Sequence, residues 1–145
     1  MRICQQIICP GYCTVCSTDN FCTGCQPSMY RTLDNSGNCV CASYTIDFSN
    51  VGLDNCQTCY PTCLTCSSLL SATACLTCNL DRDHRTFLAS NNTCPCVDGY
   101  YEVSNLAATF ANYIYVGIPC PPCEYTCETC SSSAACLTCN STVFR

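Results

Sequence analysis

The spacing of the cysteines constrains this chain more than any other feature of its sequence. The clearest copy of the pattern, C-x2-C-x3-C-x2-C-x8-C-x2-C-x15-C-x-C, runs from Cys56 to Cys96, and related copies begin at Cys4 and at Cys120. The three copies account for all 22 cysteines, about 15% of the residues, whereas roughly 8–10% already marks a disulfide scaffold. A recurring unit of this length predicts an array in which each unit contacts only its neighbours.

Residues other than the cysteines also recur at corresponding places in the repeats. The hexapeptide ACLTCN at 74–79 returns at 135–140, and RTL at 31–33 matches RTF at 85–87. The predicted domains are repeat 1 at 1–55, repeat 2 at 56–119 with a longer aromatic loop at 97–119, and an incomplete repeat 3 at 120–145.

The apolar residues are too scattered to build one large core. Cysteine supplies almost a third of the 48% hydrophobic fraction, and no window shows sustained helical or strand periodicity. Small modules without a core need covalent staples. We therefore predict a small disulfide-rich fold, an elongated tandem array of cysteine-rich modules with short β-hairpins, little helix and no single core. Turn-forming clusters at 35–38 and 90–92 predict hairpins at 26–38 and 79–93.

The charge balance argues against two classes of partner. The net charge is −5, and the five basic residues are all Arg, so no surface is predicted that could neutralise a run of phosphates. No stretch approaches 18 apolar residues, the length that a membrane-spanning helix requires. We expect neither nucleic-acid binding nor membrane insertion of this segment.

The cysteine pattern resembles that of a known family. The unit C-x2-C-x3-C-x2-C-x(5–8)-C-x2-C, with a closing cysteine pair and GYY at 99–101, looks like the furin-like repeat, which also occurs in the cysteine-rich domains of growth-factor receptors. The tags CQTC at 56–59, CLTC at 63–66 and CETC at 127–130 resemble versions found in cysteine-rich surface proteins of ciliates and other protists. The closing pair here is C-x-C, where receptors often have three intervening residues.

Spacing alone leaves the disulfide connectivity open, because even four cysteines allow three pairings. The resemblance implies an interleaved ladder of local bridges. The implied pairs are Cys9–Cys16, Cys13–Cys22, Cys25–Cys39, Cys41–Cys56, Cys59–Cys66, Cys63–Cys75, Cys78–Cys94, Cys96–Cys120, Cys123–Cys130 and Cys127–Cys136. In this scheme Cys4 and Cys139 have partners outside the chain, either in neighbouring repeats or in copies of the chain arranged head to tail.

Zinc binding is the alternative use of these cysteines. Eight C-x2-C pairs occur, and this spacing is also a zinc signature. Five four-thiolate sites would add roughly −10 to a chain that already carries −5 and has only five Arg to offset it. We therefore predict disulfides, with no metal and no other cofactor.

No residue set suggests catalysis. The one histidine, His84, lies in the charged segment 81–85, and no nucleophile, second base or oxyanion site is visible beside it. We predict that this segment is a solvated charged loop and that the protein is not an enzyme.

Two sequons predict covalent glycans. Asn91-Asn92-Thr93 and Asn140-Ser141-Thr142 match the N-glycosylation signal. Asn91 falls at the tip of a predicted hairpin, where a glycan can be accommodated. We predict N-glycans on Asn91 and Asn140.

Three functions are compatible with these features. The favoured one is an extracellular or cell-surface structural glycoprotein, a rod-like repeat segment of a surface coat, appendage or fibril. The first alternative is the stalk of a cell-surface receptor or adhesin, and the second is an intracellular zinc-binding protein. Thiol counting separates the last from the first two, because only thiolates bind zinc.

Overall fold

Short antiparallel hairpins make up almost all of the regular structure. The structure, a computed structural model, describes residues 9, 11–17, 21–48, 55–103, 117–124 and 126–139. The strands within that part of the chain are β1 (Cys13–Cys16), β2 (Cys22–Cys25), β3 (Arg31–Leu33), β4 (Cys39–Cys41), β5 (Thr45–Ile46), β6 (Gln57–Thr58), β7 (Thr65–Cys66), β8 (Cys75–Thr77), β9 (Cys127–Ser132) and β10 (Ala135–Cys139). Helix is confined in this part to one 3-10 turn, Pro27–Met29, and one α-helical turn, α1 (Leu80–Asp83).

The strands pair as five two-stranded antiparallel sheets, β1–β2, β3–β4, β5–β6, β7–β8 and β9–β10. The sheets β1–β2, β7–β8 and β9–β10 occupy the same position in successive repeats. The sheet β5–β6 crosses from repeat 1 to repeat 2, and the isolated bridge between Tyr100 and Pro122 takes its place between repeats 2 and 3. Among the described residues no helix is long and apolar enough to cross a membrane.

Ten disulfides connect these hairpins. They are Cys9–Cys16, Cys13–Cys22, Cys25–Cys39, Cys41–Cys56, Cys59–Cys66, Cys63–Cys75, Cys78–Cys94, Cys96–Cys120, Cys123–Cys130 and Cys127–Cys136, the same pairs that the resemblance implies. Each bridge is local, with sequence separations from 7 to 24 residues. Closing a loop of about 15 residues stabilises a fold by about 3 kcal/mol in the chain-entropy model.

Half-cystines replace aliphatic side chains in the interior. The main buried cluster consists of Cys59, Cys63, Cys66, Cys75 and Cys94. Several large apolar side chains on the hairpins stay exposed, and every residue of strand β10 is exposed, including Leu137. The predicted small disulfide-rich fold with short hairpins and little helix is confirmed.

The recurring threonine that precedes the last cysteine of the C-x-T-C tag has a structural explanation. In β7–β8 the hydroxyls of Thr65 and Thr77 lie opposite each other and share a hydrogen bond of 2.6 Å. The equivalent hydroxyls in β9–β10, those of Thr129 and Thr138, are 2.7 Å apart. Cross-strand pairs of this kind stabilise two-stranded sheets. The threonine of the C-x-T-C tag therefore helps to pair the two strands of a hairpin.

The hairpins predicted at 26–38 and 79–93 differ from each other in the structure. In repeat 1 the strands β3 and β4 pair around a turn in which the Asp34 carboxylate accepts hydrogen bonds from the amides of Asn38 and Ser36, and these bonds lower the pKa of Asp34. In repeat 2 the segment begins instead with α1, because the Asn79 side chain caps the Arg82 amide. The hairpin there is reduced to two isolated bridges, one between Arg85 and Cys96 and one between Leu88 and Thr93.

Candidate functional site

The junction between repeats 1 and 2 is held by backbone hydrogen bonds and a disulfide. The segment after Cys41 turns at Tyr44, which has a left-handed backbone with φ 65°. The Tyr44 amide donates to the carbonyl of Leu64 (2.7 Å), and its carbonyl accepts from the amide of Cys59 (2.8 Å). Together with the Cys41–Cys56 disulfide, these bonds attach the end of repeat 1 to the first hairpin of repeat 2.

The junction between repeats 2 and 3 repeats this backbone arrangement. Gly99 stands three residues after Cys96, as Tyr44 stands after Cys41, and also has a left-handed backbone, with φ 84°. Its amide donates to the carbonyl of Glu128 and its carbonyl accepts from the amide of Cys123, both at 2.7 Å. Successive repeats are therefore joined by the same contacts.

A buried arginine fastens each of these junctions to the repeat that precedes it. The Arg85 side chain is fully buried; its Nε donates to the carbonyl of Ile118 (2.9 Å) and its Nη1 to the carbonyl of Cys94 (2.8 Å). Nη1 and Nη2 also bind the two carboxylate oxygens of Glu102 at 2.7 and 2.9 Å. This planar two-point pairing is the geometry that arginine provides and lysine does not.

Arg31 occupies the equivalent place in repeat 1. Its Nη1 donates to the carbonyl of Cys39 (3.2 Å) and to the carboxylate of Asp47 (2.9 Å). The guanidinium also lies 3.7 Å from the centre of the Tyr12 ring. Asp47 and Glu102 each follow the closing cysteine of their repeat by six residues, so the acid recurs with the arginine. The recurring RTL and RTF tripeptides are recognisable in the sequence, whereas the two acids were not predicted.

Tyr44 also forms a buried polar cluster with repeat 2. Its hydroxyl donates to Oδ2 of Asp83 (2.6 Å) and accepts from Nδ2 of Asn79 (2.9 Å), and Nε of Arg82 donates to the other Asp83 oxygen (2.7 Å). Asp83 is fully buried, and Tyr44 is only 4% exposed. Burial, as the larger cause, and the hydrogen bond to Asp83, as the second, raise the pKa of Tyr44 to about 12. The Tyr44 hydroxyl therefore stays a donor at neutral pH.

Gly117, at the start of the segment that leads into repeat 3, packs directly against the Tyr44–Asp83 pair. It has φ 73°, and a Cβ placed on it would lie 2.7 Å from Oδ2 of Asp83 and collide with the Tyr44 ring. Ile118, which follows it, is buried, and the Cys120 amide donates to the Asp83 carbonyl (2.9 Å). Only glycine allows the backbone to approach the buried pair this closely.

The prediction that 81–85 is a solvated charged loop is wrong. Asp83 and Arg85 are fully buried, and the His84 ring stacks on Tyr100 with centroids 4.0 Å apart. Burial of these charges is tolerated because each one has an oppositely charged partner and further hydrogen bonds. Asp83 and Arg85 therefore belong to the interior between repeats, whereas Asp81 and Arg82 stay exposed.

Of the two predicted glycosylation sites and the two cysteines predicted to pair outside the chain, the structure describes one of each. Asn91 is exposed in the turn between Leu88 and Thr93, and its Oδ1 accepts a 2.7 Å hydrogen bond from the Thr93 hydroxyl. Cys139 is exposed and is a free thiol in the described part of the chain. The predictions for Cys4 and Asn140 lie outside the described residues.

Two groups in the described part of the chain place three potential metal-ligating atoms within 4.8 Å of one another. They are Cys13, Cys22 and Cys39 in repeat 1, and Cys96, Glu102 and Cys120 in repeat 2. All five of these cysteines belong to disulfides. Because the thiolate is the metal ligand, the sulfurs of neither group can bind a metal in this oxidation state.

Together, the disulfide ladder and the recurring junctions define a small disulfide-rich protein of cysteine-rich repeats. The chain is 36% identical over 77 residues to Cysteine repeat modular protein 1 of Tetrahymena thermophila. The match covers 53% of this chain and about 3% of that much longer protein. No protein-family model matches the chain, and no solved structure matches it.

Proposed function

We propose that the chain is a structural segment of an extracellular or cell-surface glycoprotein, a rod-like run of repeats in a surface coat, appendage or fibril, and not an enzyme. The observation that carries this proposal is the recurrence of one junction. Tyr44 and Gly99 make the same pair of backbone hydrogen bonds to the next repeat. Arg31 and Arg85 each bind an acid and a carbonyl in equivalent positions.

A recurring junction supports a rod for a geometric reason. When each unit contacts the next through the same head-to-tail surfaces and the rotation does not close a ring, the units propagate along an axis. The disulfides reinforce this arrangement because each one joins residues of the same repeat or of adjacent repeats. Further repeats, or copies of the chain, are the partners that such an array would take head to tail.

The oxidation state supports the proposed location. Ten disulfides are typical of extracellular or secreted proteins, because cytosolic reductants keep most thiols reduced. Replacing core aliphatic residues by disulfides also suits a unit that is too small for a large hydrophobic interior. The similarity to a ciliate protein named for its cysteine repeats is compatible with this interpretation.

A stalk that displays a separate binding head would use the same repeats. A transmembrane segment elsewhere in the parent protein would favour the stalk, whereas chains in continuous axial contact would favour the fibril. Intracellular zinc binding is the competing class. Alkylation without reductant would find many reactive thiols in a zinc protein and almost none in the disulfide-bonded one.

Small-angle scattering tests the rod. We expect a radius of gyration well above the roughly 14–15 Å of a compact domain of this length, and below the roughly 40 Å of an unfolded chain. The control is the reduced and alkylated protein, which should approach the unfolded value. A radius near that of a compact domain for the oxidised protein would contradict the rod and leave the disulfide ladder intact.

Glycan attachment is tested separately on material from a secreting host. Enzymatic removal of N-glycans in heavy-oxygen water converts an occupied asparagine into a labelled aspartate, and we expect the label at Asn91 and at Asn140. Asn38, which is exposed and lies in no sequon, controls for spontaneous deamidation. Label at neither sequon, in a properly secreted protein, would remove the glycoprotein part of the proposal.

A further inference from the structure

Two disulfides of repeat 1 are in contact with each other. Sγ of Cys22 lies 3.4 Å from Sγ of Cys39, although these atoms belong to the separate bridges Cys13–Cys22 and Cys25–Cys39. The Cys13 sulfur completes a trio with all three sulfurs within 4.8 Å of one another. Within the described residues this is the one set of three cysteine sulfurs that approach so closely.

The fourth cysteine is placed for the complementary pairing. Cys13 of β1 lies directly opposite Cys25 of β2 in the strand register. Side chains opposite each other in an antiparallel pair point to the same face with Cβ atoms about 4.5–5.5 Å apart, and the Cα atoms then fall within the range that a disulfide spans. The equivalent residues of repeat 3, Cys127 and Cys139, face each other in the same way. Both bonds of an alternative pairing are therefore within reach without separating the strands.

We propose that these four cysteines form a thiol-reactive site, at which a small thiol or a protein thiol catalyses isomerisation of the bridges Cys13–Cys22 and Cys25–Cys39 to Cys22–Cys39 and Cys13–Cys25. The half-buried bridge Cys25–Cys39 is the point of entry. Cys22 is only 1% exposed, so its sulfur is approached from inside the repeat, where the Cys39 sulfur already touches it.

The exchange balances in three steps. The thiolate of the external thiol attacks the Cys25 sulfur, a mixed disulfide forms, and Cys39 leaves as a thiolate. The Cys39 thiolate attacks the Cys22 sulfur, so the Cys22–Cys39 bond forms and Cys13 leaves as a thiolate. The Cys13 thiolate then attacks Cys25 in the mixed disulfide and releases the external thiolate unchanged. No net oxidation occurs, and each step is ordinary thiol–disulfide exchange.

The isomerisation would rearrange the repeat without cutting the array. In both isomers one bridge stays within β1–β2, and a second bridge ties β2 to the start of β4. A thiol would therefore change which residues of β1, β2 and β4 are bridged while the covalent ladder remains continuous. The proposal is independent of the proposed structural function, because it concerns only the sulfurs of repeat 1.

Double serine variants test whether the geometry allows the new bonds. In Cys13→Ser/Cys25→Ser the remaining pair is Cys22 and Cys39, and in Cys22→Ser/Cys39→Ser it is Cys13 and Cys25. We expect both variants to form the new bridge and to show the same number of alkylatable thiols as the wild type. The matched control is Cys13→Ser/Cys39→Ser, which leaves Cys22 and Cys25 three residues apart on one strand, roughly 10 Å and beyond disulfide reach. It should show two additional thiols.

The isomerisation itself is measured with all four cysteines of the site present, after addition of substoichiometric reduced glutathione. The protein carries Cys4→Ser and Cys139→Ser, so that glutathione is the only thiol added to the bridged chain. Acid quenching, proteolysis and mass mapping should recover Cys22–Cys39 and Cys13–Cys25 peptides in excess of the glutathione added. Glutathione alkylated beforehand should produce none. Recovery of only the original bridges would overturn the proposal, and this result does not depend on how any serine variant folds, because the mapping retains Cys13, Cys22, Cys25 and Cys39. Two additional thiols in both folded variants, Cys13→Ser/Cys25→Ser and Cys22→Ser/Cys39→Ser, would contradict it as well.

Discussion

Replacing Arg85 by alanine should lower the free energy of unfolding of the junction between repeats 2 and 3 by about 3–5 kcal/mol, because two buried carbonyls each lose a donor at about 1–3 kcal/mol and the side chain leaves a cavity. The Arg85 side chain is fully buried and donates to the carbonyls of Ile118 and Cys94 as well as to the Glu102 carboxylate. Removing it leaves both carbonyls without this donor. Glu102 is 46% exposed and regains water, so the two carbonyls and the cavity account for most of the loss.

Hydrogen exchange measures this loss where it occurs. The amides of Ile118 and Cys120 donate to the carbonyls of Pro61 and Asp83, so both report on the attachment of the segment 117–120. At about 1.4 kcal/mol per tenfold change, a loss of about 3–5 kcal/mol should accelerate the exchange of both amides by roughly 10² to 4 × 10³. Thr86→Ala changes the exposed neighbour of Arg85 and should leave both amides within a few-fold of the wild type. Unchanged protection in the Arg85 variant would show that the disulfides alone hold this junction.

A methyl group on Gly117 has the second large expected effect. The Gly117→Ala variant should lose about 2–4 kcal/mol, because alanine at φ 73° is strained and its Cβ would collide with the Tyr44 ring and Oδ2 of Asp83. Neither obstacle can move easily, since Tyr44 and Asp83 are buried and hydrogen-bonded to each other. We expect the Tyr44–Asp83 bond to open and the half-exposed Arg82 to lose its buried partner.

Gly99→Ala separates the collision from the backbone strain. Gly99 has φ 84°, similar to that of Gly117, but a Cβ on it would have no atom within 4 Å. This variant therefore carries only the left-handed backbone term, about 1–2 kcal/mol. Denaturant unfolding of the oxidised proteins, followed by tyrosine fluorescence, compares the two variants. Equal losses would mean that the close approach to Tyr44 and Asp83 contributes nothing.

The sequence by itself determined the covalent and local features of this protein. Twenty-two cysteines in a recurring spacing, in a chain with only five basic residues, favour disulfides over zinc sites. The turn-forming cluster at 35–38 predicts the hairpin that β3 and β4 form. These features are predictable because each one depends on residues that are close together in sequence. The pairing scheme itself came from the family resemblance, since spacing alone leaves many connectivities open.

Only the tertiary structure decided which charges are buried and which sulfurs touch. Asp83 and Arg85 are as polar as the exposed Asp81 beside them, and nothing local distinguishes them. They become interior residues because Tyr44, 39 positions before Asp83, and Glu102, 17 positions after Arg85, arrive from other segments to bind them. The contact between Cys22 and Cys39 likewise depends on how two hairpins pack. Burial of charge is a property of the assembled junction, because its desolvation is offset only when every partner is in place.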